Sequence, residues 1–323
     1  MHRFGKRRKL IVLAFLLAMT LSPMATAGTI QDSESKSHSD EAARIMVVDT
    51  YEFPGFKVIQ FDLAVLSQYS YFLVSEGEAL LVDPVRDVQT YLDLAKKEGF
   101  KIKGTLLTHS HADFVAGHIE VARLVGTPVY ISAQAGVGYK HIGLTEKSGI
   151  KVGEASDKVP APPGPTPAGV SPRVDSEKKT KQPDLMFSGD TLFVGSVGRP
   201  DLMGGTTSAA WLASQMFDSW NDKLKDLGDE VKFFPAHGAG SLCGAHLSDE
   251  PYSTIGEQKT ANAYLQHKTR SAFIAAVLDG LPDAPQYFGH NAAMNKKGPA
   301  LVDWEAQPPR IAPARAYMDH QKH

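Results

Sequence analysis

A single cysteine, Cys243, is all the thiol chemistry available to this 323-residue chain. An intramolecular disulfide is therefore excluded in any redox compartment. Set in Gly240-Ser241-Leu242-Cys243-Gly244, the residue reads as a small packed side chain beside glycine. An excess of charge of either sign is also missing: 34 lysines and arginines face 36 acidic residues, a formal net charge of −2. That balance leaves no electrostatic footprint for nucleic acid or an anionic membrane. The partner it points to is a small molecule. Long hydrophobic runs are missing too, except for Leu10 to Leu21. This run follows Arg3, Lys6, Arg7, Arg8 and Lys9 and precedes Ala25-Thr26-Ala27, the order of a secretory signal over residues 1–27. The expectation is an exported protein, periplasmic or extracellular, soluble and without a membrane span once that segment is cleaved.

What is present is a layered pattern. Residues 28–44 are polar and charged and read as a flexible leader. From residue 45, β-rich runs appear at Val58 to Phe61, Tyr69 to Val74 and Ala79 to Val82. Val88 to Glu98 has helical spacing and closes at Gly99. Lys101 to Thr108 reads as a strand, Ile119 to Val125 as a helix, and Pro128 to Ile131 as a strand. Glu154 to Pro183 holds seven prolines and reads as an exposed loop region. Leu185 to Phe187 resumes the strands, Ala209 to Leu227 is an amphipathic helix, and Val231 to Phe234 is a further strand. Alternating strands and helices argue for a layered α/β domain, placed at 45–270. Residues 271–323 form a C-terminal helix and a Pro-rich tail, turn-like from Pro282 on.

Three groups of candidate ligands each follow a strand: His109, His111 and Asp113 after Leu107, Asp190 after Phe187, and His237 after Phe234. Strand ends suit function because the sheet is rigid and the loops beyond it are open. A His-x-His pair on a bent loop presents two imidazoles to one point, and the carboxylates add hard anionic donors. Such nitrogen and oxygen sets suit zinc or non-haem iron.

Thr108-His109-Ser110-His111-Ala112-Asp113 resembles the histidine motif of the metallo-β-lactamase superfamily. The resemblance continues through Leu81-Val82-Asp83-Pro84, Ser188-Gly189-Asp190-Thr191 and Pro235-Ala236-His237. Gly198-Arg199-Pro200-Asp201-Leu202 is similar to the persulfide dioxygenase branch, including forms fused to rhodanese domains, here without the rhodanese part. The resemblance implies a four-layer αββα sandwich. It also implies one iron(II), with zinc as the alternative, held by His109, His111 and Asp190, with Asp113 and His237 as catalytic neighbours. By the same resemblance Arg199 meets a substrate carboxylate, and the substrate is a small thiol or persulfide. A homodimer is left open.

The chain departs from the family pattern at two positions. Phe114 stands where two-zinc members carry a histidine, which favours a mononuclear centre. Pro165 stands where the family's middle histidine ligand belongs, and proline has no side-chain donor. His141, the nearest upstream histidine, reads as a surface residue. Three functions follow from these motifs: persulfide oxidation by O2 to sulfite, thioester hydrolysis of the glyoxalase II type at zinc, and a non-catalytic binding role.

Overall fold

The computed structural model describes residues 45–158, 169, 171–175, 182–202 and 208–303. The expected signal segment, the leader and Pro165 lie outside the described residues. Among the described residues no helix is long and apolar enough to cross a membrane.

The first sheet starts with hairpins. β1 (Met46–Phe53), β2 (Phe56–Leu63), β3 (Gln68–Ser75) and β4 (Glu78–Val82) pair antiparallel in sequence order. Glu76 and Gly77 join β3 to β4 with φ of 47° and 74°, the two left-handed residues whose twist matches a tight hairpin. β5 (Lys101–Leu106), β6 (Val129–Ser132) and β7 (Ile142–Leu144) then add in parallel. Two helices provide crossovers: α1 (Gln89–Glu98) leads to β5 and α2 (His118–Val125) to β6.

β8 (Gly149–Val152) opens the second sheet with β9 (Ala155–Lys158), β10 (Arg173–Asp175) and β11 (Leu185–Gly189). A short hairpin, β12 (Leu192–Phe193) with β13 (Ser196–Val197), follows. β14 (Lys232–Pro235) runs parallel to β11, and β15 (Ser253–Thr254) closes the edge. The helices on this side are α3 (Ala209–Ser219), α4 (Ile255–Ala261) and α5 (Arg270–Leu278).

Strand periodicity sets the layers. On β4, Ala79 and Leu81 join Phe61, Phe72, Tyr91 and Val121 in a core between the first sheet and its helices. Leu80 and Val82 point the other way, meeting Tyr71, Leu106, Val174, Phe187 and Phe234 in a core between the two sheets. The far faces of β11 and β14 carry Met186 and Phe233, which pack with Met216, Ile255, Phe273 and Val277. Three cores between successive layers make the αββα sandwich.

Three stretches differ from their sequence reading. Within the proline-rich region, β9 and β10 are paired strands that join β8 to β11, with Val174 buried in the intersheet core. The expected Ala209–Leu227 helix stops at Ser219 and widens into a π turn over Trp220–Leu224. The tail differs most: residues after Pro282, expected to be turn-like, form the helix α6 (Gln286–Lys297). Pro285 occupies its N-cap, ahead of any residue whose N–H the helix needs, so this proline starts the helix instead of breaking it.

Candidate metal centre

The first strand of the site, β5, ends in a loop that one buried carboxylate organises. Asp83, in a left-handed conformation (φ 50°) just after β4, accepts hydrogen bonds from Thr108 N (2.8 Å) and Thr108 Oγ1 (2.7 Å). Its Oδ1 also stands 3.0 Å from His111 Nε2. These contacts assign protons. The Thr108 hydroxyl gives its only proton to Asp83, so it accepts from His109 Nδ1, 2.9 Å away. His109 Nε2 is then a bare lone pair. His111 Nε2 stands against the Asp83 carboxylate, and neither ring nitrogen of His111 has a hydrogen-bond partner, so its Nδ1 is uncommitted.

β11 delivers the carboxylate. Gly189 adopts φ 53°, and a Cβ there would lie 2.7 Å from Thr108 Oγ1, so only glycine lets the two strand ends approach this closely. Asp190 follows, with Oδ2 3.4 Å from His109 Nε2 and Oδ1 3.5 Å from His237 Nε2. β14 delivers His237, held as Ala236 O accepts from Tyr69 N and Gly238 N donates to Ser67 O. His237 Nε2 is also 3.7 Å from Asp113 Oδ2.

These distances are too long for hydrogen bonds and too short for unrelated groups. Both ring nitrogens of His237, both oxygens of Asp113 and Oδ1 of Asp190 are buried with no hydrogen-bond partner. Burial, with His111 and His237 beside it, pushes the His109 pKa well below its usual value, so that ring is neutral. Burial raises the Asp190 carboxyl to about 6, against the pull of His237. In His111 burial acts to lower the pKa, but Asp83, Asp113 and Asp190 together raise it. Lone pairs and carboxylates facing one another without protons between them are a set of donors suited to a cation. Asp83-His109-His111, His111-Asp113-His237 and Asp190-His237-Cys243 each bring three donor atoms within 4.8 Å of one another. The residues present fit a metal ion.

Residues 63–237 match the metallo-beta-lactamase superfamily. The chain belongs to that superfamily. A solved structure, the metallo-beta-lactamase of Staphylococcus aureus subsp. aureus COL, is 34% identical with a TM-score of 0.72, covering 80% of this chain and 77% of that one. The mitochondrial persulfide dioxygenase ETHE1 of Mus musculus is 30% identical over 206 residues, 61% of this chain and 71% of that protein. The hydroxyacylglutathione hydrolase of Francisella philomiragia is 28% identical over 173 residues; the match spans 53% of this chain and 63% of the hydrolase.

His109, His111, Asp113, Asp190 and His237 come together from three separate strand ends. Arg199 does not stand free for a substrate. Its Nε and Nη2 donate to Asp201 at 3.0 and 2.6 Å, Nη2 also donates to Pro282 O, and Nη1 donates to Leu242 O at 3.3 Å. With its side chain 2% exposed, it ties the Cys243 loop to the segment ahead of α6. His141 keeps its Nδ1 2.8 Å from the carbonyl of Tyr139 and belongs to none of the donor groups.

Three residues of this superfamily site lie beyond the sequence reading of the ligands. Asp83 is one, as the organiser of the loop. Cys243 is the second: the small packed residue is indeed buried, but it packs against the metal donors. Asn295, on α6, is the third. Its Nδ2 donates to His111 O (2.8 Å) and Phe114 O (2.7 Å), and its Oδ1 accepts from Ala116 N (2.9 Å). One buried amide thus holds the ligand loop from 179 to 184 residues away. Asn295→Ala is expected to strand those three backbone groups, costing about 2–4 kcal/mol in urea unfolding. It should also weaken metal retention ~10–100-fold in a chelator competition. Unchanged metal retention would show that the loop holds its shape alone.

Proposed function

We propose that the protein is a metal-dependent persulfide-oxidising enzyme acting on a small thiol-derived persulfide, with iron(II) held by His109, His111 and Asp190. In the overall reaction persulfide, dioxygen and water give the thiol and sulfite with two protons, and four electrons pass from sulfur to dioxygen. Phe114 carries this reading. It lies where two-metal relatives place an imidazole, its ring is buried, and its centroid is 4.4 Å from that of His111. The imidazole-and-carboxylate set is thereby confined to one position, the two-nitrogen, one-oxygen arrangement that suits iron(II) oxygenases. Likeness to a persulfide dioxygenase in sequence supports the same assignment.

When bound, iron supplies the redox partner for dioxygen. The chain's own residues fix where it sits. Thr108, held by Asp83, sets the tautomer of His109 and leaves its Nε2 lone pair free, and Asp83 stands 3.0 Å from His111 Nε2, leaving Nδ1 uncommitted. Phe193 and Phe288 pack with Cys243 and give that side of the site an apolar lining. Asp113 and His237 lack other partners and are the groups available to hold a proton beside the reacting sulfur. After anaerobic iron loading, glutathione persulfide should drive oxygen uptake with one sulfite formed per O2. No uptake by iron-loaded protein would overturn the assignment.

Zinc-dependent thioester hydrolysis is the second reading, favoured by the likeness to hydroxyacylglutathione hydrolase. Its mark is thioester cleavage abolished by chelation and restored by zinc.

A further inference from the structure

One side of the centre is apolar. Phe193 and Phe288 pack with Cys243, and Ala112, Leu202 and Leu247 lie half-buried against that cluster. Ala112 belongs to the ligand loop, and the Phe193 ring meets the His237 ring edge-on at 6.0 Å, so the cluster abuts the donors themselves. Gly244 permits this packing, because a Cβ there would lie 2.5 Å from Leu247 Cδ1 and 2.9 Å from Phe193 Cδ2. On α6, Tyr287 packs on Phe288 with ring centroids 5.1 Å apart, yet 45% of it stays exposed. Partial burial raises its phenol pKa, and Asp113 and Cys243 raise it further, which sets the ring on the metal side of the helix.

Arg199, which the family motif assigns to a substrate carboxylate, serves this wall. Its Nε and Nη2 donate to Asp201, its Nη1 to Leu242 O, and its Nη2 also to Pro282 O. The two carbonyl contacts tie the Cys243 loop to the segment leading into α6, the pieces of chain that carry Cys243 and Tyr287. With these hydrogen bonds made and its side chain 2% exposed, the guanidinium is spent on the protein itself.

We propose that the substrate carries an apolar group, and no carboxylate, on its inner sulfur, and that this group seats on Ala112, Leu202, Leu247 and Tyr287.

The inference rests on the persulfide-oxidising reading and specifies its substrate. The overall reaction keeps its balance, since only the group on the inner sulfur is at issue. Covering a ring the size of a benzyl group with such a wall favours binding by roughly 10–100-fold. A carboxylate laid on the same side chains gives up its hydration to apolar surface, which disfavours a charged peptide thiol.

The zinc-loaded full chain, which holds the centre without oxidising sulfur, is titrated in a calorimeter with benzyl thiol, 2-mercaptoethanol and glutathione. All three share the thiol, so differences between them report the attached group. Benzyl thiol is expected to bind ~10-fold or more tightly than either of the others, with a negative heat-capacity change. Tyr287→Ser should reduce that preference ~3–10-fold, and Tyr287→Phe, which keeps the ring, should retain it. In the iron-loaded chain, benzyl persulfide should show the lower KM and glutathione persulfide the higher, with kcat little changed. Glutathione or 2-mercaptoethanol binding as tightly as benzyl thiol would overturn the proposal. So would a preference that Tyr287→Ser leaves intact, or no binding of any of the three thiols. A benzyl preference in binding, with no oxygen uptake from either persulfide, would support the apolar seat and remove the oxidation reading alone. Oxygen uptake with glutathione preferred would remove the apolar substrate alone.

Discussion

Asp190→Ala is expected to yield a folded protein that loses its metal on dialysis, with affinity lowered by ~100-fold or more. Asp190 is the carboxylate that faces both sides of the centre, 3.4 Å from His109 and 3.5 Å from His237. Removing groups that only support ligands commonly costs ~10–100-fold, so removing a shared ligand should cost at least that. Metal content by mass spectrometry, with chelator competition for the affinity, measures it. The same variant should be more stable than the parent when both are metal-free at pH 7. Burial raises the Asp190 carboxyl to about 6. A raised carboxyl stabilises the fold below the ordinary carboxylate range and loses that contribution as pH rises through the folded value. At neutral pH the ionised group is therefore a cost, which alanine removes and metal offsets. A metal-free Asp190→Ala protein that melts below the metal-free parent at pH 7 would contradict this account. Retention of stoichiometric metal by the variant would remove Asp190 from the ligand set.

Asp83→Ala should have the largest effect on stability, about 3–5 kcal/mol in urea unfolding, from stranding the two buried Thr108 donors at about 1–3 kcal/mol each and removing the carboxylate beside His111. Asp83 and His111 are both buried, and the carboxylate also receives the Thr108 amide and hydroxyl. Alanine would leave both Thr108 donors without their acceptor and His111 without its carboxylate, and it tolerates the φ of 50° poorly. Asp83→Asn keeps an acceptor and adopts left-handed backbone more readily, so it should recover part of the loss. With its anchor gone, the His109 imidazole is free to present either nitrogen, and metal affinity should fall alongside stability. A cost below about 1 kcal/mol, typical of an exposed ion pair, would mean that Asp83 does not organise the loop.

These two residues show what the sequence made legible. His109, His111, Asp113, Asp190 and His237 stand out because each follows an apolar run at a strand end, and the Leu106–Leu107, Met186–Phe187 and Phe233–Phe234 pairs announce those strands. The layers are legible for the same reason, since alternating apolar positions on β4 serve both of its faces. Asp83 is harder to find. An Asp-Pro step after a strand looks like ordinary turn chemistry, and its partner Thr108 is 25 residues on. Asn295 gave no signal, because a polar asparagine in Gln-Tyr-Phe-Gly-His-Asn-Ala-Ala-Met-Asn-Lys-Lys looks solvent-facing until the ligand loop is folded against it. For Arg199 the motif marks a position but says nothing about the acceptors it meets, Asp201, Leu242 O and Pro282 O.

The Asn295 clamp has a consequence in time. A chain made from its N-terminus completes the ligand loop about 180 residues before the asparagine that fixes it, roughly 10–40 s at common rates of synthesis. During that interval His111 and Phe114 have carbonyls but no clamp, and the lone pairs around them are not yet aligned. Metal that arrives early meets loose histidines, whereas metal that arrives after α6 docks meets a shaped site. Docking of α6 therefore sets the moment at which the ligand loop first has its final shape.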